Sequence, residues 1–171
     1  SRGCPYPCRF CVIPETNDRK WRFKSPKKVV DEIEHYKNKL SISEFHLEDV
    51  NPTINEKRVK EICQELINRK LNINWKVVAG TKVESIKDIK TIDLMAQSGC
   101  SYISISPESG SKDLMTKINK PFNIDHAYKI VNQMNKKKIF SQACFVIGFP
   151  GETKNDLNLT KKMIFNLTKK A

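Results

Sequence analysis

The sequence predicts an α/β fold, a partial TIM-like barrel of parallel strands with helices outside. Three observations predict it. Strand-like and helix-like patterns alternate from about residue 26 onward. The strand-like runs lie roughly 30 residues apart, which leaves room for a crossover helix between parallel neighbours. Small and polar residues gather just after each run, at 48–51, 79–81, 106–110 and 148–152. In parallel α/β folds chemistry collects at these carboxyl ends. Periodicity alone does not separate a barrel from a flat doubly wound sheet, and the barrel is the expectation.

The elements follow in order. Ser25-Pro26 starts a helix carrying Val29, Val30, Ile33, Tyr36 and Leu40 at helical spacing. Residues 44–49 alternate Phe45 and Leu47 against His46 and Glu48, a short strand. Asn55 caps a second helix with Val59, Ile62, Cys63, Leu66 and Ile67 on one stripe. Residues 75–79 form the second strand, closed by Gly80. Ser85 and Asp88 read as a capping box for a third helix that Gly99 stops. The third strand covers 102–106. Helices at about 111–118 and 123–137 flank Pro121, 139–147 is the fourth strand, and Thr153 with Asp156 boxes the last helix.

A chain of 171 residues suits one domain with a proper core, taken here as residues 1–171. It begins without Met and abruptly, so the expectation is a piece of something longer. No apolar run approaches the ~18 residues of a membrane span, and the opening segment has no apolar stretch of a secretory leader. The net charge of +12 invites a nucleic-acid partner. Against it, the lysines at 136–138, 161–162 and 169–170 sit where solvated helix faces and ends are expected, and no aromatics interleave with them. Nucleic acid is therefore not the expected partner. Six cysteines in a chain this rich in core residues point to a reducing cytoplasm rather than a disulfide framework.

Three of those cysteines crowd into one loop, Cys4-Pro-Tyr-Pro-Cys8-Arg-Phe-Cys11. A structural zinc site wants four ligands, commonly in two separated pairs, and no second pair follows at a fitting distance. A disulfide would leave one thiol over. Three thiolates on a short loop suit three corners of a cubane, and the fourth iron then stays open to a small molecule. Gly3 frees the backbone on entry, Pro5 and Pro7 limit the loop, and Phe10 can shield a cluster or stack on a planar ligand.

On these residues the chain resembles the radical SAM superfamily. Ser1-Arg-Gly-Cys4, Arg22-Phe-Lys-Ser-Pro26, Phe45-His-Leu-Glu-Asp49, Pro107-Glu-Ser-Gly-Ser111 and Ile147-Gly-Phe-Pro-Gly-Glu-Thr153 continue the likeness in order. They are most similar to the branch whose members often carry an N-terminal cobalamin-binding domain. The resemblance implies a [4Fe–4S] cluster on Cys4, Cys8 and Cys11, with S-adenosylmethionine chelating the open iron by its amino and carboxylate groups. It implies reductive cleavage to methionine and a 5′-deoxyadenosyl radical that takes hydrogen from substrate. It further implies a barrel core of six βα units, of which a first strand and a last unit are missing here. A small-molecule substrate and an electron donor such as flavodoxin or ferredoxin follow, with cobalamin reached through a domain outside the chain.

The same resemblance places other residues at the cofactor. Glu108, with Ser109 in its motif, is expected at the ribose or methionine part of the ligand, where a carboxylate accepts from hydroxyls or an ammonium. Its ordinary alternative is an acid complementing the next helix's dipole. Glu48, Asp49 and Asn51 stand where the family reads the ligand's amino group, although the usual Gly-Gly-Glu is absent. Ile147 and Gly148 are expected along the adenine; a plain turn is the alternative. His46 reads as a satisfied buried histidine, His35 and His126 as surface, and Cys63 as core.

Two other function classes compete. An electron carrier ligates its cluster fully, and no fourth cysteine follows at ferredoxin spacing. An RNA methylthiotransferase-like enzyme would bring a second three-cysteine cluster and an RNA-binding appendage, neither of which is in this sequence.

Overall fold

Ser25 accepts a hydrogen bond from the Lys28 amide at 3.3 Å, and Pro26 occupies the first helical position without a wasted donor. These two residues start α2 (Pro26–Leu40), preceded by the single turn α1 (Ile13–Thr16). The computed structural model, which describes residues 1–169, continues with β1 (Glu44–Leu47), α3 (Glu56–Asn68), β2 (Asn74–Thr81) and α4 (Lys90–Gln97). Then come β3 (Cys100–Glu108), α5 (Lys112–Lys117), α6 (Ile124–Lys136), β4 (Phe140–Phe145) and α7 (Lys154–Thr168). Side-chain caps hold four further helix starts. Asn55 serves α3, Ser111 serves α5, Asn123 serves α6, and Thr153 with Asp156 forms a full capping box on α7. Lys170, counted above in the last basic run, lies outside the described residues.

The four strands are parallel and stand in chain order, β1-β2-β3-β4. Every crossover therefore steps in the same direction. Right-handed crossovers that all step one way put all their helices on one face, which is the winding of a barrel and not of a doubly wound sheet. The helices pack in the same succession, α2 on α3, α3 on α4, α4 on α6 and α6 on α7. The fold is thus an arc of a TIM-like barrel, as expected. Among the described residues no helix is long and apolar enough to cross a membrane.

Alternation along the strands separates the two faces. Trp75, Val77, Ile103 and Ile105 are buried towards the helices with Val30, Ile33, Ile62, Ile92, Met95 and Ile130. Glu44, His46, Lys76, Tyr102 and Gln142 take the other face. There Glu44 accepts from Lys76 at 2.9 Å and from Asn74 at 3.1 Å, and Tyr102 donates to Gln142. His46 belongs to this polar face and is exposed, 2.9 Å from Glu44. It is not the buried histidine expected, because the alternation that buries Phe45 turns His46 away. His35 is exposed as expected, whereas His126 is half-buried and reaches the Ile86 carbonyl at 2.8 Å.

Several boundaries differ from expectation. Ser85 lies in a 3₁₀ turn over Val83–Ser85, and α4 begins only at Lys90 without a side-chain cap. The expected capping box is absent because Ser85 is already spent, bonded to the Lys82 carbonyl and to Thr53. Strand β2 runs through Gly80 to Thr81, since Gly80 lies so close to Ser106 of β3 that a Cβ there would sit 1.7 Å from its hydroxyl. Strand β3 is longer at both ends than expected, and β4 stops at Phe145, before Ile147.

Candidate active site

The cysteine loop lies over the carboxyl ends of β2 and β3. Its entry is fixed by Gly3, whose φ is +79° and whose missing Cβ would sit 2.1 Å from the Lys20 carbonyl oxygen. Only glycine meets both conditions. Arg2 and Arg22 close the entry as an antiparallel bridge, with N–H···O distances of 2.8 and 2.9 Å. Further along, the Arg9 amide donates to the Ile118 carbonyl at 2.9 Å, and the Asn119 side chain donates to the Pro7 carbonyl at 3.0 Å. The turn after α5 thus carries the loop.

Cys4, Cys8 and Cys11 are free thiols, each half-buried. Burial pushes Cys4 and Cys8 upward, and the neighbouring thiols add to this, while the charges of Lys120 and Lys82 oppose it. Among the described residues no three His, Cys, Asp or Glu side chains converge on one ion. A cubane asks for a different arrangement, one thiolate on each of three irons, and three thiols on a lysine-flanked loop fit that donor chemistry.

Beside the loop, Lys120 donates to the Glu108 carboxylate and, at 2.9 Å, to the Ser106 carbonyl at the end of β3. Both side chains of this ion pair are nearly buried, at 9% and 8% exposure. Glu108 itself has φ +60°, a left-handed conformation that costs a residue other than glycine about 1 kcal/mol. Its carbonyl accepts from the Val146 amide at 2.9 Å, so the β3–β4 pairing and the ion pair together hold the turn. Phe10 lies 5.9 Å from the Lys120 ammonium and meets Phe149 edge to face, with centroids 5.3 Å apart. Phe10, Glu108 and Phe149 of the segment after β4 are thereby brought together around Lys120.

The other candidates are placed differently. Ser109 is fully buried and faces α7, its hydroxyl 2.9 Å from that of Thr160. Asp49 accepts from the Ser1 hydroxyl, at the entry to the cysteine loop. Asn51 is buried and accepts from Thr53 at 3.1 Å, in a polar knot that also takes in Thr81 and Ser85. Glu48 is exposed. Ile147 is 70% exposed, and Gly148, at φ +94°, has open space where a Cβ would be. Its amide donates to Glu152 at 2.6 Å. Cys63 is wholly buried and its thiol is pushed up to about 11, mainly by burial, which fits its assignment to the core. A groove of about 660 Å³ opens beside the loop entry, lined there by Ser1, Arg2, Arg22 and Asp49 and further in by α2, α3 and β1.

Sequence reasoning missed Lys120, Phe149 and Lys82. Lys120 precedes Pro121 in what reads as a plain helix-to-helix turn, and the chain is rich in surface lysines. Only the depth of that turn singles it out. Phe149 follows Ile147 and Gly148, the residues the sequence points to, yet it is the buried one of the three.

The profile of the radical SAM superfamily matches residues 1–164. Anaerobic magnesium-protoporphyrin IX monomethyl ester cyclase from Rubrivivax gelatinosus is 34% identical over 164 residues, which is 95% of this chain and 29% of the cyclase. Bacteriochlorophyllide d C-12(1)-methyltransferase from Chlorobaculum tepidum is 26% identical over 167 residues, covering 96% of this chain and 36% of that enzyme. The chain thus spans about a third of the length of these relatives. In structure it is similar to the radical S-adenosylmethionine methyltransferase TsrM from Kitasatospora setae, solved with cobalamin and a [4Fe–4S] cluster bound. That likeness has a TM-score of 0.86 at 20% identity, over 97% of this chain and 31% of TsrM, and it shows the fold. The match along nearly its whole length, with the C-x3-C-x2-C loop seated at the strand ends, means that the chain belongs to the radical SAM superfamily.

Proposed function

We propose that this chain is the cluster- and S-adenosylmethionine-binding part of an enzyme that transfers a methyl group with the help of cobalamin held elsewhere in the protein. The observation that carries the reading is the seating of the three-cysteine loop beside the buried Glu108–Lys120 pair. Cys4, Cys8 and Cys11 would hold a [4Fe–4S] cluster, which when bound and reduced supplies the electron that cleaves the ligand's sulfonium.

This chain's own residues bind and orient. Lys120 has one N–H left after Glu108 and Ser106, and that donor suits the carboxylate of the methionine moiety. Glu108 keeps acceptor capacity for ribose hydroxyls or the ligand's ammonium. Phe10 and Phe149 form an apolar wall, and the open backbone at Ile147 and Gly148 leaves room for a flat base. At the end of β1, Glu48 is exposed towards ligand or substrate, while Asp49 and Asn51 act through Ser1 and Thr53. A small-molecule substrate would meet the polar sheet face of Glu44, Lys76, Tyr102 and Gln142, and an electron donor of the flavodoxin or ferredoxin kind would reduce the cluster.

The names of the methyltransferase relatives support methyl transfer. The cyclase at 34% identity favours a second reading, oxidative ring closure without transfer of a methyl group. The two separate in one assay of the full-length protein with methyl-labelled S-adenosylmethionine, cobalamin and magnesium-protoporphyrin IX monomethyl ester as probe. Label in the tetrapyrrole supports methyl transfer. Formation of 5′-deoxyadenosine with an oxidised, unlabelled tetrapyrrole supports the cyclase reading. A protein that cleaves no S-adenosylmethionine under reducing conditions contradicts both.

A further inference from the structure

Lys82 stands at the end of β2 with its side chain 12% exposed. Its ammonium donates to the Pro121 carbonyl at 2.8 Å, next to Lys120. It lies 5.4 Å from the ring of Tyr6, which sits between Cys4 and Cys8. It also pairs with Glu84 at 3.4 Å, and Glu84 in turn accepts from the Asn123 amide at 2.8 Å at the start of α6. One ammonium therefore joins the sheet, the cysteine loop and the turn that carries Lys120.

The contacts have two consequences. A cation against the Tyr6 face and a backbone carbonyl fixes where the loop lies relative to the strand ends. Tyr6 is two residues from Cys4 and two from Cys8, so the ammonium against its ring also lies beside the stretch of loop that carries both thiols. Reduction adds one electron to a cluster on these thiolates, taken from a low-potential donor, with no bond or proton changed. A nearby, poorly solvated cation stabilises the more negative state, and net charge is among the factors that set such potentials.

We infer that Lys82 is a positioning residue of the cysteine loop whose charge raises the reduction potential of the cluster held there. This rests on the ligand assignment of Cys4, Cys8 and Cys11 made above.

The test uses the full-length protein, reconstituted anaerobically as wild type, Lys82→Met and Lys82→Arg. Iron and sulfide content is measured first, and then the midpoint potential by EPR-monitored titration with dithionite. The expected result is a full cluster in all three, a more negative midpoint in Lys82→Met, and a midpoint near wild type in Lys82→Arg. Cluster loss in Lys82→Met that Lys82→Arg restores also supports the inference, through the positioning half. A filled Lys82→Met cluster at the wild-type potential overturns it, as does cluster loss in both variants. A wild-type protein that takes up no cubane sinks the ligand assignment itself, and this inference with it.

Discussion

Lys120 places its ammonium against the carboxylate of Glu108, and this nearly buried pair stands beside the cysteine loop, with the ammonium 5.9 Å from the Phe10 ring. The pair ties the left-handed turn at the end of β3 to the turn after α5. The second of those turns carries Arg9 and Pro7 of the loop on its backbone and on Asn119. Under the proposed function, ligand recognition and loop placement would share this one ion pair.

Breaking that pair from one side leaves a buried charge without a partner, at a cost of about 3–5 kcal/mol. Lys120→Met and Glu108→Gln are each expected to lower stability, with Lys120→Met near that range. The double variant is expected to recover part of the loss. Urea unfolding of the four proteins in a double-mutant cycle checks this, and strictly additive losses would contradict the coupling.

Cys4→Ala, Cys8→Ala and Cys11→Ala are each expected to abolish the cluster and with it the brown absorbance of the reconstituted protein. Cys63→Ala is expected to keep both, at a stability cost of about 1 kcal/mol. Its thiol is buried in the core, pushed up to about 11 and so protonated at neutral pH. Iron analysis separates the two classes.

Asp156 is held at about 2 by hydrogen bonds from Ser111 and Thr153. Its folded value lies below the unfolded value of about 3.9. Its contribution to stability is therefore complete above the unfolded value and is lost as pH falls through about 2. Asp156→Asn is expected to flatten the acid-side loss of thermal midpoint between about pH 4 and pH 2. An unchanged slope there would remove Asp156 as a source of acid lability.

Gly110→Ala would drive a Cβ to 2.4 Å from the Leu159 carbonyl oxygen and 2.8 Å from the Thr160 amide nitrogen. Backbone on α7 cannot swing aside like a side-chain end, so a loss of about 1–3 kcal/mol is expected in urea unfolding. A neutral result would mean that α7 shifts freely against the Glu108 turn.

Much of the fold was legible because local chemistry and tertiary structure agree. Ser25, Asn55 and Thr153 cap the helices they precede, and Phe45 and Leu47 face the core as alternation suggests. The third helix starts later than its capping-box spacing predicts, because Ser85 and Asp88 are claimed by tertiary partners, Thr53 for one and Lys60 for the other. Within the site, the cysteine spacing is a local signal and could be read directly. Lys120 could not, since a lysine before a proline acquires meaning only when α5 folds its turn under the loop. Ser109 shows the reverse: its motif is legible, but the left-handed turn at Glu108, with the Ser109 amide bonded back to the Pro107 carbonyl at 2.7 Å, leaves its hydroxyl on Thr160 instead of the front of the site.

The most direct test of the account is an EPR spectrum of the anaerobically reconstituted, reduced full-length protein, recorded with and without S-adenosylmethionine. A cubane signal that changes shape when the ligand is added is expected, because an iron without a protein ligand takes it up. A cubane signal that stays the same at saturating ligand, or no cubane signal at all, would contradict it.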